Sequence, residues 1–140
     1  MDDVADFHVA FDAPIAETVI NEEILASDLA RRRIEFQQEE MDEMWEAYHN
    51  NDPVAFADAV VDQLYFLYGT ALALGIPLEA CWNEVHRSNM AKIWPDGKVH
   101  KNPETGKVLK PDDWQEPNLA LVLALADSDD QLFGLLEPLN

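Results

Sequence analysis

The polar–apolar pattern of this chain is helical almost throughout. From about Leu29 to Tyr48, Ile34, Met41, Met44, Trp45 and Tyr48 recur at spacings of three, four and seven, the stripe of an amphipathic helix. Ser27 or Asp28 stands where its N-cap belongs. The next stretch is more apolar: sixteen of the 21 residues from Val54 to Leu74 are apolar, on every side. Asp52 as N-cap, Pro53 at N1 and Gly75 just past the end bracket it. A helix apolar all round is expected to be a buried central helix. Pro14 suits the first turn of a shorter helix running to about Leu25, and a fourth helix, about 78–92, follows the turn at Ile76–Pro77. Residues 1–12 predict irregular structure, with Phe7 and Phe11 as anchors onto the body.

Between Trp94 and Pro117 the helical pattern stops. This stretch is rich in Pro, Gly, Asp and Lys, with turn signals at Asp96-Gly97 and Thr105-Gly106, and "GKVH" and "GKVLK" can pair as a small hairpin. Asn118 to Ala126 then reads as a short apolar helix, and 131–139 as a last amphipathic turn or two. The expected architecture is all-α: an antiparallel bundle of about four core helices, a basic loop and a short C-terminal helical appendage. We expect a single domain over 1–140, with its core at about 7–117 and the appendage at 118–140.

Composition narrows the function classes. With an apolar fraction of 48% the chain is globular rather than disordered. The lone cysteine, Cys81, forms no internal disulfide, and the acidic first residues lack the n- and h-regions of a signal peptide. No apolar run is long enough to span a membrane. A cytoplasmic protein is expected, with no membrane partner. The net charge of −19 argues against a nucleic-acid partner. Its distribution says more. Residues 87–110 carry six basic side chains against Asp96 and Glu104, a net of +4, which leaves −23 for the rest. A basic segment in an acidic chain is either a contact for anions or internal charge balance.

Carboxylates crowd the first long helix. Glu39, Glu40 and Glu43 form an E-E-x-x-E cluster beside its apolar stripe, and Asp58 and Asp62 lie one turn apart on the apolar helix, on the face that carries Tyr65 and Gly69. A carboxylate in an apolar setting is costly unless it is paired or binds a cation. Five oxygen donors on two neighbouring helices, without cysteine or regular histidine spacing, suit a hard cation, Mg²⁺ or Mn²⁺. A solvated acidic face is the plainer explanation of the same residues. A di-iron centre is disfavoured, because Glu46 and His49 make one Glu-x-x-His where the bundle pattern needs two. His86 reads as a packing or surface residue, and Trp45, Tyr48, Tyr65 and Tyr68 read as core. Arg31, Arg32 and Arg33 open a helix, where cations are disfavoured, and are expected to meet solvent or a neighbouring subunit.

The stretches "EFQQEEMDEMWEA", "DAVVDQLYFLYGTALALGI", "EVHRSNMAKIWPDGK" and "GKVLKPDDW", together with the opening "FHVAFDAPI", follow one another as in MazG-like all-α nucleoside triphosphate pyrophosphohydrolases. The chain most resembles the phage and bacterial branch related to dimeric all-α dUTPases, over about residues 7–117. The resemblance implies Mg²⁺- or Mn²⁺-dependent hydrolysis of a (d)NTP between its α- and β-phosphates. It implies Glu39, Glu40, Glu43 and Asp62 as metal ligands, with Glu40 or Glu43 as the base that activates water. Asn89, Lys92, Lys107 and Lys110 match the family's phosphate contacts. The family's acid three residues before Asp62 is here Ala59, and Asp58 is the expected substitute. The resemblance also implies a homodimer or homotetramer, and a phage origin would place the enzyme in the host cytoplasm. The alternative, carried by the −23 outside the lysine segment, is a non-enzymatic acidic binding protein such as a DNA mimic.

Overall fold

The computed structural model describes residues 2–135, with side chains through Ser128. Among these residues there are six helices and no strand: α1 (Asp2–Ala10), α2 (Glu22–Leu25), α3 (Asp28–Asn50), α4 (Pro53–Leu74), α5 (Leu78–Met90) and α6 (Leu119–Leu135). The all-α expectation holds. The chain forms two compact units, one from Met1 to Ile76 and one from Pro77 onward.

In the first unit, α3 and α4 form an antiparallel pair joined by Asn51 and Asp52. Ser27 caps α3 by accepting from Ala30 N–H, and Asp52 caps α4 by accepting from the N–H groups of Val54 and Ala55. Asn51, in the left-handed region at φ 51°, makes the sharp reversal. The two helices meet on small and polar residues. Ala30, Arg33 and Ala47 are buried on α3, and Ala59, Gly69, Ala71 and Ala73 on α4. Gln37 Nε2 donates to Gln63 O at 3.3 Å, and Gln63 Nε2 donates to Glu40 O at 3.4 Å.

This packing corrects the expected burial. Small side chains let α3 and α4 approach closely, and the large apolar residues are left on other sides. Ile34 is 68% exposed and Trp45 55%; on α4, Val54 is 77% exposed and Val61 58%. Helix α4 is therefore not a buried central helix in the single chain, and Trp45, Tyr48, Tyr65 and Tyr68 are not core residues.

The N-terminal residues also depart from expectation. Residues 2–10 are helical rather than irregular, because Val4 and His8, one turn apart, both bury themselves, while Asp2 and Asp3 suit the positive end of the helix. Residues 14–21 are not helical. Their backbone serves α4 instead: Ala16 N–H donates to Leu72 O and Ile20 N–H to Gly75 O, satisfying carbonyls at the end of that helix. Only Glu22–Leu25 closes a turn, capped by Asn21. Gly75, at φ 70°, is required there, since a Cβ would stand 1.9 Å from Thr18 O.

In the second unit, α5 ends at Met90 and a loop with two positive-φ glycines, Gly97 and Gly106, follows. The expected hairpin exists as a minimal pairing. Lys101 and Val108 form an antiparallel bridge, flanked by Leu109 N–H to His100 O and Asn102 N–H to Lys107 O, both 2.8 Å. Helix α6 runs unbroken through the point where two short helices were expected. The part of that expectation over 136–139 lies outside the described residues. No single helix among the described residues is long and apolar enough to cross a membrane.

Candidate active site

The five acids singled out in the sequence lie on the facing parts of α3 and α4. Glu40 is the member turned furthest inward. Its Oε2 is covered from solvent and has no hydrogen-bond partner. Burial pushes its carboxyl above the usual range, and the negative charges of Glu43, Asp62, Glu39 and Asp58 push it further. Those four are the other acids of the expected set, so the fold brings each of them within electrostatic reach of Glu40. Asp62 and Glu40 are half-buried, while Glu39, Glu43 and Asp58 are exposed.

Ala59 explains the shifted acid. It is 2% exposed, a position where a carboxylate would be buried away from water. Asp58 stands one residue earlier, exposed, and still acts on Glu40.

As the side chains stand, no group of three His, Cys, Asp or Glu among the described residues is drawn together tightly enough to hold a metal ion. The donor set nevertheless fits a hard divalent cation. All its ligand atoms are carboxylate oxygens, and the unpartnered Oε2 of Glu40 is an acceptor that a cation would satisfy.

In the second unit, two of the four expected phosphate contacts meet at one ring, and a third bonds one of these two. Lys92 Nζ donates to Asn89 Oδ1 at 2.7 Å. Lys110 Nζ stands 3.7 Å from the centroid of Trp114, and Lys92 Nζ 6.0 Å from the same centroid. Lys107 is apart from this group, in the hairpin, where its backbone bonds Asn102 and Thr105.

A family model describing phosphoribosyl-ATP pyrophosphohydrolases (PRA-PH) matches residues 4–89. The chain belongs to the PRA-PH family. That family lies within the MazG-like all-α superfamily, as the resemblance implied, and its members are pyrophosphohydrolases of nucleotides. The PRA-PH match covers α1 to α5 almost to its end. It takes in all five acids and Asn89 and stops short of Lys92, Lys107 and Lys110. No curated protein matches the chain.

Several residues escape a reading of the sequence alone. Gln37 and Gln63 brace the backbone beside Glu40, and Trp114 organises the lysines. Arg33, expected at solvent or a subunit contact, is buried. It donates to Thr70 Oγ1 at 3.1 Å and to Phe66 O at 2.8 Å, and lies against the rings of Phe36 and Phe66. Arg31 pairs within its own helix, with Asp28 and Glu35. The one available signal for Arg33 was its spacing, seven residues before Glu40 and thus on nearly the same helical face.

Proposed function

We propose that this PRA-PH protein is a metal-dependent (d)NTP pyrophosphohydrolase, yielding a (d)NMP and pyrophosphate, that acts on the cytoplasmic nucleotide pool. The observation that carries this reading is the covered, unpartnered oxygen of Glu40 surrounded by four further acids in a chain of this family. Glu39, Glu40, Glu43, Asp62 and Asp58 would hold Mg²⁺ or Mn²⁺. When bound, the cation supplies positive charge to the reacting phosphate and acidifies water.

The chain's own groups do the rest. Water attacks the α-phosphorus, the bond from that phosphorus to the oxygen bridging it to the β-phosphorus breaks, and pyrophosphate leaves with the bridging oxygen. Glu43 or Glu40 takes the proton from the attacking water. Asn89, Lys92, Lys107 and Lys110 are assigned to the substrate's phosphates. The exposed apolar stripes of α3 and α4 support a homodimer or homotetramer.

The test is incubation with each (d)NTP, and with phosphoribosyl-ATP as the family's namesake substrate, in Mg²⁺ or Mn²⁺, with pyrophosphate as the readout. Release from at least one (d)NTP is expected, and its loss by at least about a hundredfold in Glu43→Gln with unchanged circular dichroism. Release from phosphoribosyl-ATP alone would overturn the substrate assignment. Full activity of Glu43→Gln would overturn the site.

A further inference from the structure

In a chain with 28 acidic and nine basic residues, two lysines lean on a tryptophan instead of a carboxylate. The turn closed by Trp114 N–H to Pro111 O, 3.0 Å, folds the chain back on itself and sets Lys110 Nζ 3.7 Å from the indole centroid. Lys92, just beyond α5, reaches the same ring at 6.0 Å while donating to Asn89. The ring itself is fixed. Its Nε1–H donates to Ser88 O at 2.8 Å, and Ser88, 1% exposed, donates from Oγ to Gln115 O at 2.9 Å. Asp112 and Asp113 lie in the same turn, yet neither lysine forms an ion pair among the described residues.

That preference has a chemical consequence. An ammonium group paired with a carboxylate is neutralised, and an incoming anion must displace the partner. Against an indole face the charge is held in place and remains uncompensated. A free lysine also carries side-chain entropy, which a ring contact reduces before any ligand arrives.

We propose that Trp114 is a positioning residue, whose ring holds Lys92 and Lys110 as an ordered pair of cations for the polyphosphate of the substrate. This rests on the assignment of those lysines to phosphate, and deepens it: the affinity for the phosphate chain depends on an aromatic side chain that does not itself touch phosphate.

The probe is inorganic tripolyphosphate, titrated calorimetrically into the full chain without divalent metal. Trp114→Leu is expected to weaken binding about tenfold and Trp114→Phe about threefold, since phenylalanine keeps a π face but loses the bond to Ser88. In a Lys92→Met/Lys110→Met background, Trp114→Leu is expected to change nothing further. With nucleotide and metal, KM rises in Trp114→Leu while kcat stays within about twofold. Wild-type affinity in Trp114→Leu, or in Trp114→Phe should the leucine variant not fold, overturns the proposal. So does a further loss in the double-methionine background, and so does a wild-type chain that binds no tripolyphosphate. Trp114-dependent binding in a chain that hydrolyses no nucleotide would leave this clamp standing and remove the enzyme reading. Hydrolysis with binding indifferent to Trp114 would do the reverse.

Discussion

Gly69, on α4, faces side chains of both α1 and α3. A Cβ there would stand 2.6 Å from Arg33 Nη2 and 2.7 Å from His8 Nε2. Neither group can retreat freely. Arg33 is tied to Phe66 O and Thr70 Oγ1, and His8 Nδ1–H donates to Pro14 O at 2.8 Å. Helix propensity alone would make Gly69→Ala stabilising by about 1 kcal/mol. Overpacking costs about 1–3 kcal/mol, and a buried guanidinium pushed off its acceptors costs about 1–3 kcal/mol more. The steric side wins, so Gly69→Ala is expected to destabilise by about 2 kcal/mol, measured by urea denaturation. A stabilised variant would mean that Arg33 is free to move. Glu40 gives the opposite sign. Without divalent metal, its charge is half-buried among four like charges. Glu40→Gln removes that repulsion at a gain of about 1 kcal/mol, which raises Tm by about 2–4 °C in EDTA. The same substitution is expected to abolish stabilisation by Mn²⁺. A melting point in EDTA that stays level or drops would count against the clustered geometry.

Among the elements, the end of α5 and the start of α6 are tied through one carboxylate. Glu84 accepts two bonds from Arg87, both 2.7 Å, and one from Asn118 N–H at 2.8 Å, next to the first turn of α6. The paired guanidinium, with help from the Asn118 amide, holds its carboxyl at about 2 against an ordinary 4.5. The folded value is the lower one, so the unfolded chain binds the proton first. The stabilisation is complete above pH 4.5 and disappears as the pH falls toward about 2. Thermal melts over that range should show the wild type losing more stability than Glu84→Gln. Hydrogen exchange should show the amides of residues 119–122 opening in the wild type on the same titration. Parallel losses in the two proteins would remove Glu84 from the account.

At the scale of the molecule, the apolar surface is the outstanding feature. On α3, Ile34, Met41, Trp45 and Tyr48 are exposed along one stripe, and on α4 Val54, Val61, Leu64 and Tyr68 along another. Such surface on a single chain marks an interaction face. Sedimentation is expected to give a dimer or tetramer at micromolar concentration, and Ile34→Glu or Val61→Glu to shift it toward monomer. A monomeric wild type would leave those stripes without the explanation offered here.

Local signals determined much of this protein. The caps at Ser27 and Asp52, the left-handed Gly75 and the helical periods fixed α3, α4 and α5 nearly to the residue, because capping and periodicity act within one or two turns. That these acids would cluster was also readable, since E-E-x-x-E and the aspartates one turn apart are local patterns. What the tertiary structure decided was burial. Periodicity says that a stripe exists but not what covers it. Periodicity predicts a packed stripe on α3, yet Ile34, Met41, Trp45 and Tyr48 are exposed, and alanines and glutamines lie between α3 and α4 together with the Phe36 and Phe66 rings. The same holds for residues 1–21. Their helix and their irregular strap are set by the side and the end of α4, far away in sequence. Arg33, Glu40 and Trp114 likewise take part of their setting from residues 23 or more positions away, Phe66, Gln63 and Ser88, bonded only once the chain has folded.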